Sequence, residues 1–318
     1  MPAKPFRFSI QSGATASGAA WKETARKAEG LGYSTLHVPD HYVDAASNGG
    51  QVLAAIPAMA VAAAVTDTLR VGARVLCVDY HHAAVLAKSA ATLDLLSDGR
   101  LELGLGAGWV ASEYEAMGLD MDDAPTRIER LVETVSFLKA YFTGETLSIN
   151  GAHVRANGFK GQPLPVQQPH PPIIIGGGAR RVLTYAGRVA DIVSFNFDNR
   201  AGFVGPAGVQ SSSAAAMDDK IGWVRAGAGD RFDDIELEVG AYFTVVTDDP
   251  TTSAEKMGAM FGLSAADMLD HPNALMGTVD EICERLIARR ERYGFSYISV
   301  SDRNMDAFAP VVARLAGS

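Results

Sequence analysis

Strand-like and helix-like segments alternate eight times along this chain of 318 residues, and this alternation limits the possible folds more than any other feature. Short runs of β-branched and aromatic residues are each followed by a longer segment with helical spacing of apolar side chains. This order predicts a parallel sheet, and eight units predict an α/β fold closed as a (β/α)8 barrel. A doubly wound open sheet is the alternative. Because composition does not change abruptly anywhere, we expect a single domain over residues 1–318.

Two insertions interrupt the alternation. The predicted strands cover residues 6–11, 34–38, 69–78, 100–105, 173–175, 192–195, 235–246 and 297–300. After strand four, residues 143–170 include Asn150-Gly151, a signal for a β-hairpin. After strand six, residues 196–216 are rich in glycine, alanine and serine and indicate a long loop. We expect both insertions at the carboxyl ends of the strands, where barrels hold their active sites.

Charge and cysteine content limit the function classes. A net charge of −9 without any basic run argues against a nucleic-acid partner. The chain shows no apolar run of transmembrane length and no signal-peptide core, so we expect no membrane association. Two distant cysteines, Cys77 and Cys283, form no metal or redox motif. We therefore expect a cytoplasmic protein without a disulfide framework or a metal site.

The segment LDLLSDGRLELGLGAGW, residues 93–109, joins a helix end, a turn, a strand and a glycine-rich loop. Its glycines at positions 104, 106 and 108 remove side chains from one face of the strand end. A flat ligand or another backbone segment can then approach closely. Alternatively, the glycines only relieve crowding within a barrel strand. The spacing alone does not choose between these two interpretations.

This segment resembles a signature of the luciferase-like flavin and deazaflavin oxidoreductases. AEGLGYSTLHVPDH and LRVGARVLCVDYHHAAVLAK resemble two further elements of that superfamily, in the same order along the chain. The resemblance implies a (β/α)8 barrel that passes a hydride between a bound cofactor and a small organic substrate. It also implies a homodimer, to which the alanine-rich helix predicted at 51–65 could contribute; the same small residues could instead pack only against the barrel.

The resemblance assigns the proton-handling role to His41, which ends the second strand motif beside Asp40. An imidazole titrates near neutral pH and can give or take a proton as a hydride moves. Without the resemblance, a loop-capping role for Asp40 and His41 would be the simpler interpretation.

Two further segments are implied to contact the cofactor ring. In deazaflavin relatives a non-proline cis peptide ends strand three, and the matching pair here is Cys77-Val78. Residues Ala107, Gly108 and Trp109 are implied to line the ring. The family's Arg-His-Pro is replaced here by His81-His82-Ala83, and no carboxylate stands at metal-ligand spacing from these histidines.

The glycine run after strand five is the candidate phosphate site. It consists of Gly176, Gly177, Gly178, Ala179 and Arg180. Backbone amides at a helix start bind phosphate, and Arg180 adds a cation. The plain structural alternative is a helix start packed closely on a strand.

Taken together, the resemblance at these residues implies an F420-dependent oxidoreductase. Trp109 stands where one sugar-phosphate-oxidising branch has a glutamate, which argues against that branch. The alternative enzyme is an FMN-dependent monooxygenase that uses reduced flavin and oxygen. Asp40-His41 and Cys77-Val78 favour the deazaflavin. A cofactor-binding barrel without catalysis is the third class, and the phosphate element together with His41 argues against it.

Overall fold

The computed structural model describes residues 4–42 and 50–318 of the chain. Its strands are β1 (Arg7–Gln11), β2 (Ala14–Thr15), β3 (Thr35–Val38), β4 (Gln51–Val52), β5 (Arg70–Ala73), β6 (Leu76–Cys77), β7 (Leu101–Gly106), β8 (Leu147–Asn150), β9 (Arg155–Phe159), β10 (Ile173–Gly177), β11 (Ile192–Phe195), β12 (Glu236–Gly240), β13 (Phe243–Val246), β14 (Ala274–Gly277) and β15 (Phe295–Ser301). Its α-helices are α1 (Gly18–Gly30), α2 (Ala55–Ala63), α3 (Ala83–Leu96), α4 (Ala111–Met117), α5 (Ala124–Phe142), α6 (Arg180–Val189), α7 (Pro206–Gln210), α8 (Ala214–Ala228), α9 (Pro250–Phe261), α10 (Ala265–Asp270), α11 (Val279–Tyr293) and α12 (Met305–Leu315).

The main sheet closes on itself. Its strand order is β10-β11-β12-β15-β1-β3-β5-β7-β6, and β10 also pairs with β7. Strands β5 and β6 both pair with β7 in parallel and are two parts of one barrel strand. Eight barrel strands result, so the predicted (β/α)8 barrel is confirmed and the open sheet is excluded. None of the helices in the described ranges is long and apolar enough to cross a bilayer.

The chain forms two compact units that alternate along the sequence. The first contains Met1–Ser12, Lys27–Thr35 and Gly176–Ser318, and the second contains Gly13–Arg26 and Leu36–Ile175. In the first unit, β13 and β14 pair beside the barrel and carry their own apolar cluster. The buried members of that cluster are Phe197, Val209, Phe243, Ala254, Met268, Ala274 and Met276.

In the second unit, β7 is buried along its whole length. The turn before it uses positive φ at Asp98 and Gly99, as the turn chemistry predicts. A Cβ on Gly104 would lie 1.8 Å from the carbonyl oxygen of Ala73. At Gly104, glycine is therefore required by the close approach of the neighbouring backbone.

Helix ends follow local sequence signals. Helix α5 begins after Asp123, whose carboxylate accepts the backbone N–H of Thr126 at 2.9 Å. Helix α11 begins with a capping box in which Thr278 and Glu281 satisfy each other's backbone N–H groups. These caps satisfy N–H groups that a helix start cannot pair internally.

Three sequence predictions differ from the structure. Predicted strand three, 69–78, is broken into β5 and β6, and predicted strand seven, 235–246, is divided into β12 and β13. Helices α4 and α10 were not predicted, and the predicted loop at 196–216 contains α7 and the start of α8. Periodicity identifies a continuous apolar run, whereas the choice of neighbouring strand decides where that run is interrupted.

Candidate functional site

The turn after β3 carries Asp40 and His41, and each side chain lies within hydrogen-bond distance of a side chain from elsewhere in the second unit. Asp40 is 6% exposed, and its Oδ2 accepts the backbone N–H of Cys77 at 3.0 Å and Nε2 of His81 at 2.8 Å. A carboxylate accepts only, so Nε2 of His81 donates. Asp40 therefore fixes the end of β3 to the end of β6, which is the loop-capping role that the sequence left open. That Asp40 also contacts the cofactor remains a prediction.

His41 lies against a buried carboxylate. Its Nδ1 is 3.1 Å from Oε1 and 3.2 Å from Oε2 of Glu113. The His41 side chain is 39% exposed, whereas that of Glu113 is 3% exposed. Glu113 also accepts the backbone N–H of Tyr42 at 3.0 Å. Because a carboxylate only accepts, Nδ1 of His41 is the donor in this contact.

Two tyrosines extend this group behind Glu113. The Tyr80 hydroxyl donates to Oε2 of Glu113 at 3.3 Å, and the Tyr114 hydroxyl donates to Oδ2 of Asp79 at 2.8 Å. Burial raises the pKa of both tyrosines well above the ordinary value, so both hydroxyls remain donors at neutral pH. Arg130 pairs with Asp79 at 2.7 Å and neutralises that carboxylate.

The ends of β6 and β7 meet at Cys77. Its Sγ lies 3.3 Å from the Tyr114 hydroxyl, and burial raises the thiol pKa to about 11. The thiol therefore stays neutral and is a packing group. Val78 is buried and begins a short 3₁₀ turn that carries Asp79 and Tyr80.

The predicted cis peptide at Cys77-Val78 is wrong. The non-proline cis bond is Arg74-Val75, in the break between β5 and β6. Cys77 is instead held in the ladder opposite Gly106, and its N–H is bound by Asp40. Cys77-Val78 therefore does not favour F420 over FMN.

The loop after β7 packs its backbone closely against neighbouring side chains. Gly108 has φ of 72°, and a Cβ there would lie 2.0 Å from the Tyr114 hydroxyl oxygen. Glycine is therefore required at this position. The Ala107 carbonyl accepts Nε of Arg127 at 3.1 Å, and the Trp109 ring lies edge-on to His41 at 5.9 Å. The structure thus brings Trp109 against His41, and it links both Asp40 and Gly108 to Cys77.

The 176–180 turn belongs to the first unit. Gly176 and Gly177 end β10, Ala179 precedes α6 without a side-chain cap, and Arg180 is the first helical residue. A Cβ on Gly178 would lie 2.1 Å from the carbonyl oxygen of Phe197. Gly178 is therefore needed for packing, and the uncapped helix start keeps the amides that a phosphate would use.

The sequence did not indicate that Glu113 lies beside His41, and it gave no role to Tyr80, Tyr114 or Asp79. Glu113 is separated from His41 by 72 positions. Tyr80 and Asp79 stand directly before His81-His82, and Tyr114 directly follows Glu113. This adjacency in the sequence was the available indication that these residues lie near the site. It does not show which side chains contact one another.

The model of the luciferase-like monooxygenase family matches residues 4–266. The F420-dependent glucose-6-phosphate dehydrogenase of Amycolatopsis mediterranei (strain U-32) is 31% identical over 170 residues, covering 53% of this chain and 50% of that protein. An FMNH(2)-dependent dimethylsulfone monooxygenase of Pseudomonas putida is 34% identical over 128 residues, covering 40% and 35% of the two chains. The chain thus spans about half the length, or less, of these curated relatives.

Solved structures match over the whole chain. The coenzyme F420-dependent tetrahydromethanopterin reductase of Methanopyrus kandleri superposes with a TM-score of 0.76 at 17% identity, covering 98% of this chain and 99% of that one. A monooxygenase of Streptomyces bottropensis superposes with a TM-score of 0.74 at 21% identity, covering 97% and 99%. At these identities the likeness shows the shared fold.

Proposed function

This chain belongs to the luciferase-like monooxygenase family, and from that premise we propose that it is an F420-dependent oxidoreductase that transfers a hydride between the deazaflavin and a small organic substrate. The observation that carries the proposal is the pairing of His41 with buried Glu113, at 3.1 Å. This pairing holds the ring proton on Nδ1 and directs Nε2 to proton exchange from a partly exposed side chain.

Family relatives support an oxidoreductase of this kind. Several curated relatives are F420-dependent dehydrogenases, and one is an FMNH(2)-dependent monooxygenase. We do not propose a sugar phosphate as the substrate of this chain. By the family resemblance, Trp109 stands where the sugar-phosphate-oxidising branch carries a glutamate. An indole cannot serve as an acid.

The residues present fit a ring cofactor with an anionic tail. The imidazole of His41 and the indole of Trp109 are in contact, and the half-buried Ala107 and Gly108 precede Trp109. These groups would hold the ring with Asp40, Cys77 and Val78. The uncapped start of α6, with Arg180, would hold the phosphate. F420, when bound, supplies a ring carbon that accepts and donates a hydride.

Each residue of the His41 group has a separable role in this proposal. His41 exchanges a proton at Nε2, and Glu113 orients the ring and stabilises its protonated form. Tyr80 donates to Glu113 and keeps that carboxylate fixed. Trp109 packs edge-on against His41 and limits its rotation.

The second candidate is an FMN-dependent monooxygenase. The relative from Pseudomonas putida favours it. Binding of F420 and FMN to the purified apo-protein, followed by fluorescence quenching, separates the two candidates. We expect tighter binding of F420; preferential binding of FMN would replace the first candidate with the second.

His41→Ala tests the proton-handling role. We expect turnover to fall about 10²–10⁴-fold, with little change in cofactor affinity because phosphate anchoring is retained. His170→Ala, in the proline-rich link before β10, is the matched control and should keep full turnover. Equal activity of His41→Ala and the wild type would disprove the role.

We also propose a cytoplasmic homodimer. The buried residues of α2 are Ala55, Ala58, Met59, Ala62 and Ala63, so these small residues pack within the molecule. Val61 is 38% exposed on the same helix and is available to a second copy. Light scattering at micromolar concentration tests this proposal, and a monomeric mass would refute the dimer.

A further inference from the structure

Lys220 is a buried lysine to which the proposed function gives no role. It lies on α8 and is 1% exposed. Its Nζ donates to the carbonyl oxygen of Asn196 and to the hydroxyl oxygen of Ser212, both at 2.6 Å. Burying an ammonium group costs free energy unless hydrogen bonds compensate it, so these two contacts show what the lysine holds in place.

The backbone of Asn196, the first residue after β11, is fixed on both sides. Its N–H donates to the carbonyl oxygen of Gly177 at 2.9 Å, while its own carbonyl is held by Lys220. A Cβ on the next glycine, Gly178, would lie 2.6 Å from the Asn196 carbonyl oxygen. Asn196 therefore packs directly against the 176–180 turn, where the proposed function places the phosphate.

The side-chain amide of Asn196 is oriented by Tyr242. The Tyr242 hydroxyl donates to Oδ1 of Asn196, and the Tyr242 ring lies 5.2 Å from the ring of Phe197. With Oδ1 engaged in this way, the amide presents Nδ2, which carries two N–H donors. Within residues 4–42 and 50–318, Nδ2 has no hydrogen-bond partner, and Asn196 is only half-buried, so a ligand can reach this donor.

Three segments of the first unit converge on this one residue. Gly177 ends β10, Lys220 lies on α8, and Tyr242 lies between β12 and β13. Their contacts fix N, O and Oδ1 of Asn196, and Nδ2 is the polar atom that remains for a ligand. A donor that is held in place before binding loses little freedom when the ligand arrives, which favours affinity and selectivity.

The donor is uncharged, and this determines which ligand atom suits it. Asp198, two residues further on, is engaged by Arg200, whose Nε donates to it at 3.0 Å. In the proposed function the start of α6 and Arg180 already supply the donors for the phosphate. In F420 and FMN alike, a chain of hydroxyl-bearing carbons joins the phosphate to the ring. A hydroxyl oxygen of this chain is the acceptor that follows the phosphate along the ligand.

We propose that Asn196 is a specificity-determining residue that donates, through Nδ2, to a hydroxyl oxygen of the cofactor chain beside the phosphate, and that Lys220 positions it. The inference rests on the proposed function, because it takes the 176–180 turn as the phosphate site. It applies to F420 and to FMN, since both carry such a chain. All of the residues involved belong to the first unit.

Fluorescence quenching with F420 and with FMN, on the purified protein, tests the role of Asn196. We expect Asn196→Ala to weaken binding about 5- to 10-fold, because one donor is lost. We expect Asn196→Asp to weaken it about tenfold or more, because a carboxylate oxygen then faces the ligand oxygen. Gln210→Glu, an exposed position on α7 with the same amide-to-carboxylate change, is the control and should bind as the wild type does.

A double-mutant cycle tests the positioning role of Lys220. Lys220→Met alone should weaken cofactor binding about 3- to 10-fold, because Asn196 is then held less firmly. In the Asn196→Ala background the same substitution should have no further effect on affinity, since the donor that Lys220 positions is gone. An equal loss in both backgrounds would show a merely structural role and contradict the positioning.

Phosphate-free forms of the two cofactors identify the ligand atom. An equal loss in Asn196→Asp with FMN and riboflavin, or with F420 and its phosphate-free deazaflavin, supports the hydroxyl contact. A loss confined to the phosphorylated forms would place the phosphate at Asn196 and overturn the proposal. Wild-type affinity in both Asn196 variants, or an equal loss in Gln210→Glu, also overturns it.

The same titrations distinguish a failure of this inference from a failure of the proposed function. If FMN binds in preference to F420 and Asn196→Asp weakens FMN binding, the F420 candidate fails whereas the role of Asn196 is supported. If F420 binds tightly to the wild type and to both Asn196 variants, the F420 candidate stands and the role of Asn196 is refuted. Absence of binding of either cofactor to the wild type overturns both.

Discussion

Glu113→Gln is the sharpest test of the group around His41. Glu113 is buried and accepts from three donors: Nδ1 of His41, the N–H of Tyr42 and the hydroxyl of Tyr80. Glutamine keeps the size of the side chain but replaces one acceptor oxygen with an NH₂ donor. At least one of the three donors then faces another donor, and the remaining bonds lose their charged acceptor.

The size of the effect follows from these bonds. A hydrogen bond to a charged group contributes about 1.5–3 kcal/mol, and a buried donor left unpaired costs about 1–3 kcal/mol. We therefore expect the free energy of unfolding to fall by about 2–4 kcal/mol. Because the carboxylate also orients His41, we expect turnover to fall about 10–100-fold.

Urea unfolding measures the loss of stability, and ¹⁵N NMR of the histidine ring nitrogens measures the position of the His41 proton. Above the range in which imidazole titrates, the wild type should carry that proton on Nδ1, and Glu113→Gln should shift part of the population to Nε2. Glu115→Gln, an exposed position on the same helix with the same charge change, is the matched control. The reasoning fails if both variants lose equal stability, or if the wild-type proton is on Nε2.

Three further predictions concern stability and are measured by urea unfolding. Arg289 is buried and donates to four carbonyls around β14, so Arg289→Met should lower the free energy of unfolding by about 3–5 kcal/mol, and a loss below 1 kcal/mol would contradict this. Gly104→Ala should lower the free energy of unfolding by more than about 3 kcal/mol, because the added Cβ would lie 1.8 Å from the Ala73 carbonyl oxygen. In the control Gly222→Ala, the added Cβ meets nothing within 4 Å, so this variant should stabilise α8 by about 0.5–1 kcal/mol. Burial lowers the pKa of Lys220 from its usual 10.5 to about 8, so the folded state releases this proton first and the free energy of unfolding should rise between these two pH values. Lys220→Met should remove that rise, and an equal pH dependence in both proteins would refute the assignment.

The fold was predictable because its signals are local. Strand β11, 192–195, has the predicted bounds, because its apolar residues form a short run of strand length. The eight repeats then leave few ways to bury every apolar face, and a closed barrel is one of them. The turn at Asp98 and Gly99 also follows from residue type alone.

The site was only partly predictable, because its geometry joins distant positions. The motif placed His41 at the end of a strand, but the carboxylate that fixes its ring comes from 72 residues further along the chain. The division of predicted strand seven depends on β14, which pairs with β13 across a separation that no local pattern encodes. Likewise, the interruption of strand three lies where Ala73 approaches Gly104, and not at Cys77. Sequence periodicity determines which faces are buried, whereas only the tertiary structure decides which side chains meet, because contacts between distant segments depend on how those faces pack.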